Sequence, residues 1–347
     1  MDWNQLNSAF TLFLSLLVEA MPFLLLGVLF SGSLQVFVDE RKLVRLMPKH
    51  PFLGALVGSC IGFLFPVCEC GNVPVARRLL MQGVPSAVAI GFLLAAPTIN
   101  PIVFWATWTA FRDQPEIVFL RVGFSLAIAT IIGWVFSAQA DLRPLLQPSI
   151  ARVVPFKRRG KGKAEAEMAA TETSPLLQSG TYFLGQSDQP IQPEVMAMQA
   201  AIALESPVGK PLPDKLALLL ENTIQEMREL GGVLVLGSAI AAIVQVFVPR
   251  EVILNLGQGP VTSILAMMLL AAVVSICSTV DAFFALSFAS TFTSGSLLAF
   301  LVFGPMIDLK GIGLMLSIFK PRAVFYLFTL AAQLTFLFTL FVNLYIS

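Results

Sequence analysis

Charge and histidine are scarce in this chain of 347 residues: 12% of it is charged, and His50 is the single histidine. So little polar surface cannot cover a water-soluble globule. With 56% hydrophobic residues and a mean hydropathy of +0.82, the composition is that of an all-α polytopic membrane protein embedded in a lipid bilayer. A net charge of +1, with basic residues concentrated outside the apolar segments, argues against nucleic acid as a partner. No glycine loop that could cradle phosphate is present, which argues against built-in ATP use, and nothing calls for a cofactor. Four cysteines, two of them at positions 68 and 70, do not make a disulfide framework. The N-terminus has no basic stretch ahead of its first apolar run and carries Asp2 instead. That run, 10–38, is too long for a signal peptide and is expected to be a retained span. His50 lies in a basic loop and is expected to be solvated.

A helix needs about 20 apolar residues to cross the hydrocarbon core. Runs 10–38, 84–111, 117–137, 216–248, 296–309 with its extension, and 323–346 qualify. Between them lie 52–82 and 261–292, each interrupted near its middle by polar or helix-breaking residues and read as a broken hairpin or two short spans. The total is about 8 to 10 membrane segments. Region 139–214 is rich in Pro, Ser, Gln, Lys and Glu and reads as a flexible cytoplasmic linker. It divides the chain into a first transmembrane repeat, 1–138, and a second, 215–347. Basic loops face the cytoplasm, so Arg41, Lys42, Arg45, Lys49 and the cluster Arg152 to Lys163 place the first loop and the linker inside, and both termini outside. Arg77 and Arg78 are expected to snorkel to the cytoplasmic interface.

The halves repeat at an offset of about 209 residues. Gln35, Val36, Phe37 and Val38 return as Gln245, Val246, Phe247 and Val248; Cys68 returns as Cys277, Asn72 as Asp281, Pro97 as Pro305 and Asn100 as Asp308. Loop charge inverts between matching positions. The basic 41–49 faces the nearly neutral 249–260, and 112–116 faces the basic 310–322, which predicts inverted-topology repeats of the kind found in secondary transporters.

Cys68, Glu69 and Cys70 sit at membrane depth among Pro66, Gly71 and Pro74, residues expected to open the helix and free backbone groups, which lipid tolerates only beside a cavity or buried protein. Thiolates suit copper(I), zinc or trivalent arsenic, and two thiols give an incomplete site that can release its occupant. As plain packing residues, buried cysteines would need no ligand. Glu69 weighs against that reading, because an ionisable group in the membrane costs about 2.5–3.5 kcal/mol even on the mildest scale. Cys277, the repeat partner of Cys68, would complete a three-thiol site. Asn72 and Asn100 join the candidate binding residues, while Glu69, Asp281 and Asp308 are candidates for proton coupling. Alternatively, Asp308 ends a span near the surface and Asp281 caps a short helix. Pro97 and Pro101, and Pro305 in the other half, predict kinks or unwound turns. Glu19 and Glu229 are placed to pair with an intramembrane cation.

The run Pro66 to Asn72 with Pro74, then Gly83, Val84 and Pro85, then Phe92 to Pro97 with Asn100 and Pro101, resembles the ArsP/YraQ family of predicted permeases over both membrane halves. The resemblance implies a plasma-membrane permease, some members exporting trivalent organoarsenicals through membrane cysteines and others linked to copper or zinc efflux. The second half reads Cys277, Ser278, Thr279, one matched thiol where a symmetric four-thiol site needs two. Three functions are thus open. The first is a proton-coupled exporter of a soft metal or metalloid, using Cys68 and Cys70 as metal ligands. The second is a permease for an anionic or organic solute with packing cysteines, and the third an intramembrane thiol oxidoreductase. Each is compatible with action as a homodimer or with a companion membrane subunit.

Overall fold

A computed structural model of the chain describes residues 3–37, 47–48, 50–64, 69–138, 143–151, 212–247, 259–289 and 291–345. Pro66, Cys68, most of the expected linker, and the loops around 41–46 and 248–258 lie outside the described residues. Among the described residues the chain is all-helical. In hydrocarbon every backbone N–H and C=O must find its partner inside the chain, and a helix does this within one segment.

Each half contributes six helices among the described residues. The first holds α1 (Trp3–Phe37), α2 (Pro51–Ile61), α3 (Glu69–Met81), α4 (Ser86–Ile99), α5 (Pro101–Ala110) and α6 (Pro115–Ala138). The second holds α7 (Leu212–Phe247), α8 (Pro260–Val274), α9 (Asp281–Leu286), α10 (Ser294–Met306), α11 (Leu309–Met315) and α12 (Pro321–Tyr345). Proline opens α2, α5, α6, α8 and α12, where its missing N–H would be unsatisfied in any case. Six segments are long and apolar enough to cross a membrane: Leu6–Leu34, Ser86–Ala110, Pro115–Ala138, Asp214–Val246, Ser294–Met315 and Pro321–Tyr345. They coincide with the six runs expected from hydropathy. The second interrupted region resolves into short helices α8 and α9, separated by non-helical residues from Ser275, which itself has a left-handed backbone (φ 48°).

Helices α4 and α10 form the centre, with nearly every side chain buried, and they pack on each other. Around them the two halves use matching contacts: α2 and α6 flank α4, and α8 and α12 flank α10. At the crossing of α2's end with α4, Gly62 lies against Ala96; at the corresponding crossing Gly304 of α10 lies against Ala271 of α8. Helices α1 and α7 run antiparallel, with Gly32 beside Leu219 and Thr223 near one end and Leu16 clustered with Ala241 and Ala242 near the other. By contrast α1 and α3 run parallel. Gly27 meets Gly71 backbone to backbone, the Ser31 hydroxyl donates to the Pro74 carbonyl (3.3 Å), and Gln82 Nε2 approaches the Leu34 carbonyl (3.5 Å).

Gly71 and Pro74 do not open the hairpin as expected. Both lie inside α3, and the described helix begins at Glu69. Gly71 serves the close approach of α1, and Pro74 sits early enough in α3 to cost one backbone bond, that to the Cys70 carbonyl. Outward faces carry apolar side chains such as Val18, Trp105, Leu236 and Phe325, the composition lipid contact requires. Residues 143–151 are docked on the second half: Leu146 pairs with Phe319, Lys320 N donates to the Leu145 carbonyl, and Ile150 is buried.

A side chain at Gly27 would overlap the backbone of α3, whereas one at Gly232 meets nothing within 4 Å. Gly27→Val is expected to lower the thermal stability of the detergent-purified protein by about 1–3 kcal/mol. Gly232→Ala should leave it unchanged or raise it by up to about 1 kcal/mol. Melting curves of both variants check the contact.

Candidate functional site

Both central helices end in the same device. Asn100 is extended (φ −68°, ψ 153°) between α4 and α5, and its Oδ1 accepts from Val103 N at 2.8 Å. Asp308 is extended (φ −125°, ψ 169°) between α10 and α11, and its Oδ1 accepts from Gly311 N at 2.6 Å. Each residue caps the helix that follows it. Pro97 and Pro305 lie inside the preceding helices, a turn or less before the breaks, and Pro101 is the first residue of α5.

The break at Asp308 turns Lys310 inward. Its side chain is 1% exposed, with Nζ 3.7 Å from Glu69 Oε1 and 3.9 Å from Asp308 Oδ2. Glu69 opens α3, which packs on α11, so its carboxylate also sits where the helix dipole favours negative charge. Cys70 and Cys277 are buried. Cys70 follows Glu69 in sequence, Cys277 stands two residues after Ser275, whose Oγ accepts from Leu309 N at 3.1 Å, and Leu309 packs against the cluster of Leu16, one turn before Glu19. Thr279 Oγ1 donates to Cys277 Sγ at 3.5 Å. Asn72 falls three residues after Glu69, on the same face of α3. It is completely buried, with no hydrogen bond to either side-chain polar atom; Glu69 Oε2, Asp308 Oδ2 and Ser278 Oγ likewise have none. A buried polar atom without a partner costs about 1–3 kcal/mol, so a group of them marks a place built for something other than packing.

A second buried pair starts one turn beyond Cys277, whose carbonyl accepts from Asp281 N at 3.1 Å. Arg121 of α6 meets Asp281, the first residue of α9, through Nη2 at 2.6 Å and Nη1 at 3.0 Å, and Nη1 also donates to Thr107 Oγ1 at 2.7 Å. A third set lies along α3: Arg77 Nη1 is 3.1 Å from Glu229 Oε2, and Arg78 Nη2 is 3.2 Å from Glu226 Oε1, both on α7. Arg77 stands eight residues, about 12 Å, beyond Glu69. Thr107 lies at the opposite end of the Ser86–Ala110 segment from the turn that joins it to α3. The charges therefore form three levels, with the Lys310 centre between the other two. All of these pairs except Lys310 with Asp308 join one half of the chain to the other.

Cys70, Cys277, Glu69, Asn72 and Asp308 are thus brought to one region, while the Asp281 carboxylate is taken up by Arg121 and Asn100 is occupied in capping. Lys310 does not behave as a loop cation, and Arg77 and Arg78 are paired to α7 rather than reaching for an interface. Glu229, half exposed, pairs with Arg77. Among the described residues no three His, Cys, Asp or Glu side chains are grouped to hold a metal ion. Arg121 and Lys310 are the residues that sequence reasoning missed. A lone arginine in the apolar run 117–137 was the available signal, since a charge at such depth needs a partner.

The chain matches the family model described as a predicted permease over residues 5–344. It is 41% identical to the UPF0718 protein YcgR of Bacillus subtilis, over 94% of this chain and 92% of that one. It is 32% identical to a putative two-component membrane permease complex subunit of Streptococcus mutans, over 90% and 87%. A shorter match, 30% identical over 22% of each chain, is to the UPF0718 protein YraQ of Escherichia coli. No solved structure matches the chain.

Removing one partner of a buried ion pair strands the other. Arg121→Leu is expected to cost about 3–5 kcal/mol of stability. The double variant Arg121→Leu/Asp281→Leu should recover much of that loss, as read by thermal unfolding in detergent.

Proposed function

The chain belongs to the ArsP family of predicted permeases, and from that premise we propose that it exports a soft metal or metalloid species through the buried centre between its halves. The observation that carries this reading is the meeting of Glu69, Asp308 and Lys310, with buried Cys70 adjoining Glu69 in sequence and buried Cys277 two residues after Ser275, which binds Leu309 N. Two carboxylates face one ammonium, so the centre has a surplus of electron-pair donors and favours a cationic or electrophilic solute. Thiolates add preference for copper(I), zinc or a trivalent arsenical. Cys68, which lies outside the described residues, is proposed as a third donor from its place in the sequence motif alone. Few donors make a weak site, which is what release demands.

The alternative of an anion held by helix N-termini fits less well. Three of those termini already carry their own carboxylate: Glu69 opens α3, Asp281 opens α9 and Asp308 caps α11.

Glu69 and Asp308 are the proton couplers in this reading, and Asp281 is a tie. The antiparallel run of α1 and α7, with the matching contacts in each half, supports inverted repeats that rock about the central helices. Ion pairs between the halves lie on either side of the centre and open alternately. Residues 139–214 are taken as cytoplasmic and the termini as external in the plasma membrane, as the basic cluster from Arg152 to Lys163 favours. The Streptococcus mutans relative is named as one subunit of a two-component complex, which favours a companion subunit here as well.

Uptake into inside-out vesicles of copper(I), zinc, arsenite and methylarsenite tests the reading. Cys70→Ser/Cys277→Ser should lower uptake of one species at least about tenfold, by analogy with loss of metal ligands; wild-type uptake of every species by the variant would overturn it. A charge swap tests the alternating opening. Arg78→Glu should abolish transport, and Arg78→Glu/Glu226→Arg should restore a measurable part.

A further inference from the structure

The two innermost ion pairs are built differently. Arg121 is locked: two contacts of 2.6 and 3.0 Å to one carboxylate and a third of 2.7 Å to Thr107. Lys310 is not. Its ammonium lies 3.7 and 3.9 Å from two carboxylate oxygens, beyond the 2.7–3.2 Å of an N–H···O hydrogen bond, so attraction of charge rather than directed bonding keeps it there. An ammonium on a flexible four-carbon stem is suited to such a place, and a guanidinium fork is not.

We propose that Lys310 is the resident counter-ion of a cation site formed by Glu69 and Asp308, and that an incoming cation displaces its ammonium toward Glu19. The proposal rests on the reading of this centre as the transport site and adds what occupies it between transport events. Four observations support it. Two carboxylates share one ammonium, and Glu69 Oε2 and Asp308 Oδ2 accept no hydrogen bond, so no directed bond has to break when another cation takes the place of the lysine. Asn72, fully buried one turn from Glu69, offers an amide oxygen without a hydrogen-bonding partner. Glu19 of α1 stands one turn from Leu16, against whose cluster Leu309, the neighbour of Lys310, packs, and it is only partly buried, which gives the displaced ammonium a destination. Finally, the centre is closed, with Glu69 7%, Asp308 3% and Lys310 1% exposed. Water cannot compensate the carboxylates there, so each ionised carboxylate needs a cation beside it or a proton on it. Exchange of a monovalent cation for lysine leaves the charge of the centre unchanged.

Chemical substitution of the lysine provides the test, in purified full-length protein and with melting temperature as readout. Lys310→Ala leaves an ammonium-sized vacancy between the carboxylates. Methylammonium should raise the melting temperature of this variant by several degrees, saturably, while leaving the wild type unmoved; Lys310→Ala/Glu69→Gln should not respond. Lys310→Met keeps the stem and serves if the alanine variant does not fold: sodium or potassium should stabilise it and not the wild type. Absence of any cation-specific shift in both variants, or an equal shift in the wild type, overturns the proposal. The vesicle assay remains separate. A methylammonium shift without uptake of any soft metal keeps the cation site and removes the soft-metal substrate, and uptake without a shift does the reverse.

Discussion

A charge inside the hydrocarbon region must bring its own compensation, and this requirement organises the molecule. The described buried cations, Arg121 and Lys310, each take a carboxylate partner from the opposite half of the chain, as Arg77 and Arg78 do on α7. Apolar packing between helices gains little in lipid, because the surrounding tails are as apolar as the side chains. Ion pairs therefore do more than decorate the interface between halves: they specify which surfaces meet. They also make that interface divisible into levels, each able to open only if its charges find other partners.

Helix breaks supply the second organising element. A broken helix at membrane depth exposes backbone groups that need satisfaction, and both central helices meet this need with a side-chain cap, Asn100 or Asp308. The two caps are equivalent in place and differ in charge. Asn100 satisfies the backbone and is neutral, whereas Asp308 satisfies it and adds a carboxylate that holds Lys310 nearby. One substitution between related positions thus gives the halves different chemistry on the same scaffold, and the buried centre becomes asymmetric although the helices around it match.

Much of the fold was legible because hydropathy acts over windows. The six long spans, the interrupted regions and the correspondence of Asn100 with Asp308 all follow from patterns twenty residues wide or from local proline and polar signals. What failed was whatever depends on a single residue or on a distant partner. Arg121 disappears into the average of its apolar run, and its partner Asp281 is 160 residues away. Lys310 was counted with Lys320 and Arg322 as one basic loop, since a count of charges carries no depth. Gly71 and Pro74 looked like breakers in sequence, but a glycine in a helix also permits another backbone to approach, and only the position of Gly27 decides between the two. The site was half legible for the same reason: its acids and thiols were visible, and the lysine between them was not.

The docking of residues 143–151 changes how the halves are fastened. By sequence a region of some seventy residues separates them, long enough to impose no restraint. Yet α6 ends at Ala138 and the docked segment, bound to the corner between α11 and α12, begins at Arg143. Five residue steps reach at most about 17 Å. The end of α6 is therefore leashed to the α11–α12 corner, and any rocking must swing about that short strap, with wide separation reserved for the far side of the bundle.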